Sequence, residues 1–174
     1  RKVYRRLVHW ELELSNTGSS MADILITQKE EANNGFAKYV KTNYLNWVAE
    51  GASTANGRPV MSPDLFKHSI FPLLDKGEKV FLIVLDNFRY DQWKMLESEI
   101  GDLFDIDEDM YISILPTATQ YARNAIFSGL MPNKIAKMFP ELWVDEDEAE
   151  GKNLNEDLLI KTQIERYRRR DTFS

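Results

Sequence analysis

The sequence predicts an α/β chain with an all-α N-terminal bundle, in which the bundle is followed by the start of a parallel sheet that is left incomplete. Three observations predict it. Up to Gly77, apolar residues recur at helical spacing, separated by short polar or glycine-containing links. Val80–Leu85 is then apolar at every position and leaves no polar face, and Tyr111–Leu115 is a second short, largely apolar run. The segment between them returns to helical spacing, so the order is strand, helix, strand, as in a βαβ unit. The expected division is a helical bundle over 1–77 and a sheet-containing domain beginning at 78–174.

The elements follow in order. Val3, Leu7, Trp10 and Leu14 predict a first helix over 1–16, and Asn16–Ser20 reads as a stop and restart. Ile24, Leu25, Phe36, Tyr39, Val40, Tyr44, Trp47 and Val48 predict a long second helix from about 21 to 50, weakened at Gly35. Residues 51–59 are a loop by composition. Ser62-Pro63-Asp64 has the signature of a helix start, with serine at the cap, proline in the first position and an acid in the first turn. Leu65, Phe66, Ile70, Leu73 and Leu74 continue that third helix until Asp75-Lys76-Gly77. Three amphipathic helices with short links suggest an antiparallel bundle. Further helices are expected over 89–100, 119–129, 133–139 and 154–169.

Composition narrows the function. The chain has 174 residues, of which 43 % are apolar and 29 % charged, an ordinary globular balance. There is no cysteine, which excludes a disulfide framework and a thiolate metal site. The net charge of −6 argues against wholesale coating of nucleic acid, and the basic residues sit at the two ends rather than in an aromatic-interleaved stripe. No apolar run approaches the roughly 18 residues that a membrane span needs. The first residue is Arg1, already inside a helical pattern, and two strands alone would leave two open sheet edges. The sequence therefore reads as an excised piece of a longer, cytoplasmic protein.

The candidate chemistry lies at the ends of the two apolar runs. Asp86 closes the first; a carboxylate there serves either as a ligand for a divalent cation or as a cap for the following helix. Thr117 and Thr119 follow the second run, where a helix begins. A helix N-terminus offers free amides to a phosphate, and a threonine there is either a nucleophile or a plain N-cap. Arg123 and Asn124, on the next turns, are within reach of an oxyanion or are ordinary surface residues. On adjacent parallel strands, about 4.8 Å apart, Asp86 and Thr119 would project from one sheet edge and share one metal ion. His9 and His68 lack metal-ligand spacing with any partner and read as structural or surface residues.

The segment ILPTATQYARNAIFSGLMP resembles the nucleophile region of the alkaline phosphatase superfamily, and VLDNFRYDQW resembles its first metal-binding strand. The resemblance implies Thr119 as nucleophile and metal contact, Asp86 as metal ligand, and Arg123 or Asn124 as tentative substrate contacts. Ala122 stands where the phosphodiesterase branch has an asparagine. DNFRYDQW together with ILPTATQYARNAIFSG is similar, more narrowly, to the PglZ domain of PorX-type response regulators, and SPDLFKHSIFPLLDKGEKV to their bundle and junction. That resemblance implies an upstream receiver domain and a sensor kinase. It also implies a zinc-dependent phosphodiesterase acting on nucleotides or cyclic oligonucleotides, a link to type IX secretion, and a possible homodimer. It further implies that zinc is held by the complete domain and not stably by this stretch, which lacks the later aspartate and histidine ligands and is expected to be inactive alone. The competing expectation is a non-catalytic module that transmits a dimerisation signal through the bundle.

Overall fold

The structure, a computed structural model, describes residues 2–14, 19–143 and 154–167. Its α-helices are α1 (Lys2–Leu14), α2 (Ser19–Val48), α3 (Phe71–Asp75), α4 (Tyr90–Ile100), α5 (Thr119–Ser128), α6 (Pro132–Met138) and α7 (Glu156–Arg166). The chain divides into two compact units. One comprises 1–56 and 83–110, the other 57–82 and 111–174.

In the first unit α1 buries Leu7 and Val8, and α2 buries Leu25 and Trp47. The helices run antiparallel: Lys29 Nζ meets Glu11 Oε1 at 2.7 Å, while Leu14 shares a groove with Ala22 and Leu25. Trp47 is packed by its own helix, with the Tyr44 ring one turn away at 6.4 Å and the Tyr39 ring two turns away at 5.3 Å. Gly35 does not interrupt α2. Ile24, Phe36 and Leu45 remain exposed on that helix.

The other part of this unit is α4 and the acidic segment after it. Glu108 collects the Tyr90 hydroxyl at 2.7 Å, the Trp93 indole N–H at 3.0 Å, Lys94 Nζ at 3.0 Å and, from α1, Arg5 Nε at 2.9 Å. Burial acts to raise the Glu108 pKa, but the hydrogen bonds from Tyr90, Lys94 and Trp93 outweigh it and hold the carboxyl below its ordinary range. Tyr90 is pushed up by burial and by its bond to Glu108.

The second unit is built on one apolar cluster, Phe66, Phe71, Phe127, Ile135, Leu142 and Leu159, with Ile126, Leu130, Trp143 and Ile164 packed against it. The Phe66 ring meets Phe71 at 6.0 Å and Phe127 at 6.3 Å, tilted or edge-on as aromatic quadrupoles favour. Helix α6 starts at Pro132 and ends before Pro140, and α7 has Glu156 and Asp157 in its first turn and Arg166 in its last, matching the helix dipole.

The expected parallel sheet is not present among the described residues. Val80–Leu85 forms no strand there, and from Phe81 to Leu85 the side chains are exposed, Phe81 by 90 % and Ile83 by 78 %. A buried parallel strand needs hydrogen-bonded neighbours and a covering layer on each face, and this run finds neither among the described residues. Tyr111–Leu115 makes a single parallel bridge, Ile112 to Met61, with the Ile112 N–H donating to the Val60 carbonyl at 2.9 Å. Its partner is thus the segment before Ser62, not Val80–Leu85. The third helix also differs. Ser62–Asp64 is a 3-10 turn, Phe66–Ile70 a π-helical turn, and only Phe71–Asp75 is α-helical. The segment packs within the second unit, its phenylalanines in that unit's core. The expected restart over Asn16–Thr17-Gly18 and most of the acidic 141–150 stretch lie outside the described residues.

Helix α5 ends at Gly129, whose φ of 64° is left-handed. Gln163 of α7 reaches this end and donates through Nε2 to the carbonyls of Ile126 at 3.1 Å and Phe127 at 3.2 Å, while Arg166 donates to the Ser128 carbonyl. A Cβ at position 129 would sit 2.8 Å from Gln163 Nε2. Gly129→Ala thus combines a strained backbone with displacement of the side chain that satisfies the helix end. It is expected to destabilise the second unit by about 2 kcal/mol or more, read as a lower urea midpoint with an unchanged slope.

Candidate functional site

The candidate site is the N-terminal turn of α5 and the segment that leads into it. Ser62 is fully buried, and its hydroxyl accepts the Ile114 N–H at 3.1 Å. With the Ile112–Val60 bond two residues earlier, this fixes the backbone running into Pro116. The chain then turns through Thr117 and Ala118 into the helix.

Ala118 occupies the cap position of α5, with φ −61° and ψ 148°, and no side chain caps this helix end. Neither Thr117 nor Thr119 therefore takes the capping role that would make it purely structural. Thr119 is the first helical residue and is half-buried; Thr117 is exposed. Tyr121 and Ala122 N–H groups bond back to the Ala118 carbonyl at 3.0 and 2.9 Å, so the first turn is properly formed. A formed first turn with no side-chain cap is the arrangement in which backbone amides and the positive end of the dipole receive an anion.

Arg123 and Asn124 sit one turn further on. Arg123 Nη2 is bound to Glu156 Oε2 of α7 at 2.8 Å, so its charge is already partnered inside the second unit. Asn124 is buried, with 3 % exposure, on the face of α5 that enters the core.

Asp86 belongs to the first unit, whereas Thr119, Arg123 and Asn124 belong to the second. Asp86 is exposed in a turn, where its Oδ1 accepts the Asn87 N–H at 2.9 Å and Asn87 adopts a φ of 55°. It does not cap α4, whose cap position is Arg89. There the Arg89 N–H donates to Gln92 Oε1 at 2.9 Å and the guanidinium pairs with Asp91 at 2.6 Å. The Arg89 hydrogen bond holds the Asp91 carboxyl down at about 2.

The donor set does not amount to a zinc site. Zinc takes four ligands, commonly nitrogen, sulfur or carboxylate oxygen. Among the described residues no group of three or more histidine, aspartate or glutamate side chains converges, and His9 pairs with Glu13 at 3.2 Å on the surface of α1. No helix among the described residues is long and apolar enough to cross a membrane.

Residues 65–173 match the family described as the BREX system PglZ alkaline phosphatase-like domain. The chain belongs to the PglZ family. Residues 1–48 match a second family, the PorX response regulator linker domain, which takes in α1 and all of α2. A comparison with curated proteins finds no match. The PglZ match encloses Asp86, Thr119, Arg123 and Asn124, and the alkaline phosphatase-like character points to metal dependence in general. The linker match places the N-terminal helices in a signalling context.

Sequence reasoning missed Glu108, Glu156 and Gln163 and gave Ser62 only a capping role. The partners of Ser62 and Glu156 lie 52 and 33 positions away, beyond local pattern. Ser62→Ala leaves the Ile114 N–H buried without this acceptor. It is expected to cost about 1–3 kcal/mol and to speed amide exchange at Ile114 and in the first turn of α5.

Proposed function

We propose that this chain is part of a PorX-like response regulator whose PglZ domain is a zinc-dependent phosphodiesterase acting on nucleotides, in a pathway that controls type IX secretion. The upstream partner in this reading is a receiver domain addressed by a sensor kinase. The observation that carries it is the first turn of α5, which has no side-chain cap, holds Thr119 and lies inside the PglZ match.

Thr119 is the nucleophile in this reading. Its Oγ attacks phosphorus, an Oγ–P bond forms, and the P–O bond to the leaving alcohol breaks; the hydroxyl proton ends on that alcohol. Water then cleaves the phospho-threonine and regenerates the hydroxyl. The first-turn amides of α5 accept the charge gathering on the phosphoryl oxygens. Arg123, whose charge is paired with Glu156, offers hydrogen-bond donors one turn along the same helix. Asp86 would offer one carboxylate to a divalent metal in this reading, and the metal would supply Lewis-acid polarisation of the phosphoryl group.

In the zinc-loaded full-length protein that carries this chain, Thr119→Ala is expected to lower kcat on a nitrophenyl phosphodiester by at least about a thousandfold with the circular dichroism unchanged. Thr117→Ala is expected to retain turnover. The reverse result would move the nucleophile to Thr117, and full activity in both variants would remove it from this turn.

A further inference from the structure

Glu108 sits where the two families meet. Its side chain is only 18 % exposed, and it is bound from two directions. From α4 come the Tyr90 hydroxyl, the Trp93 indole N–H and Lys94 Nζ. From α1 comes Arg5, which grips the residue twice: Nε meets the carboxylate at 2.9 Å, and Nη2 donates to the Glu108 backbone carbonyl at 2.7 Å. Beside this contact the Tyr4 and Tyr90 rings stand 5.5 Å apart. Arg5 and Tyr4 lie in the stretch matched by the linker family; Tyr90, Trp93, Lys94 and Glu108 lie in the stretch matched by the PglZ family.

A part-buried carboxylate that loses one of its two cations keeps less compensation for its charge, so the Arg5 and Lys94 contacts support one another at Glu108. The segment from Asp86 to α4 is short: Asp86 is four positions before Tyr90, and Arg89, which leads into α4, is bound to Asp91 and Gln92 of that helix. A shift of α4 therefore moves the point from which the Asp86 turn is strung.

We propose that Glu108 is a latch through which the linker helix α1 fixes α4, at the root of the Asp86 turn, so that displacement of α1 is transmitted into the PglZ stretch through the contacts this residue gathers. The proposal rests on the phosphodiesterase reading only in giving Asp86 a role in metal binding; the mechanical coupling is independent of it.

Amide hydrogen exchange on the 174-residue chain tests the latch in both directions. Arg5→Ala removes the α1 arm, and exchange within Tyr90–Ile100 is expected to quicken by about tenfold, while α5 and α7 keep their wild-type protection. Tyr90→Phe keeps the ring and removes one α4 arm. Because coupling is reciprocal, exchange in α1 is expected to quicken several-fold. Arg5→Lys, which keeps the charge but not the double grip, is expected to fall between wild type and Arg5→Ala. Unchanged exchange in α4 on Arg5→Ala, or in α1 on Tyr90→Phe, would overturn the latch. Neither result bears on whether Thr119 is a nucleophile, and inactivity of the full-length protein would leave the exchange result standing.

Discussion

Helix α5 is treated differently at its two ends, and the second unit depends on that difference. The C-terminal carbonyls of a helix have no partner within it, and in a buried setting they must find donors. Here Gln163 and Arg166 of α7 supply them, at the carbonyls of Ile126, Phe127 and Ser128. The same contact sets the approach of α7 to α5 and requires a residue without a Cβ at Gly129. The other end has an alanine at the cap. The protein thus satisfies the end that faces its own core through side chains, and leaves the end with Thr119 to its backbone.

Around that helix the packing is economical. Phe127 enters the phenylalanine cluster, Asn124 and Ala125 lie on the same buried side, and Arg123 is turned toward Glu156. The backbone entering α5 is held by Ser62 and Val60. Thr119 is consequently positioned by contacts at distance from itself.

Helical periodicity was readable outside the third expected helix, where Ser62–Asp64 and Phe66–Ile70 take tighter and wider turns. The α1, α2, α4 and α5 ranges follow the spacing of their apolar residues, and the Ser128-Gly129 stop is written in residue types alone. What was not readable is whatever depends on a distant partner. An all-apolar run such as Val80–Leu85 specifies burial, but a strand also needs a neighbour for its backbone, and local sequence does not name one. Ile112 found Met61, from a stretch that reads as loop and helix start. Ser62, a textually obvious cap, serves Ile114 instead. Glu108 is one acid among several between Gly101 and Asp109, and only the fold brings Arg5 to it from 103 positions away. Of the candidate site, Thr119 and Asp86 could be singled out from sequence because chemistry restricts residue type. The ion pair that holds Arg123 could not, because any acid at the right point in space would serve.

If the first turn of α5 carries a nucleophile, turnover of a phosphodiester leaves a covalent mark there. The most direct test is to quench the zinc-loaded full-length protein during turnover of a phosphodiester and to locate the covalent phosphoryl group by peptide mass spectrometry. The account predicts the label on Thr119. A label on Thr117 or on any other residue, or steady turnover with no phosphorylated intermediate under conditions that trap phospho-threonine, would contradict it.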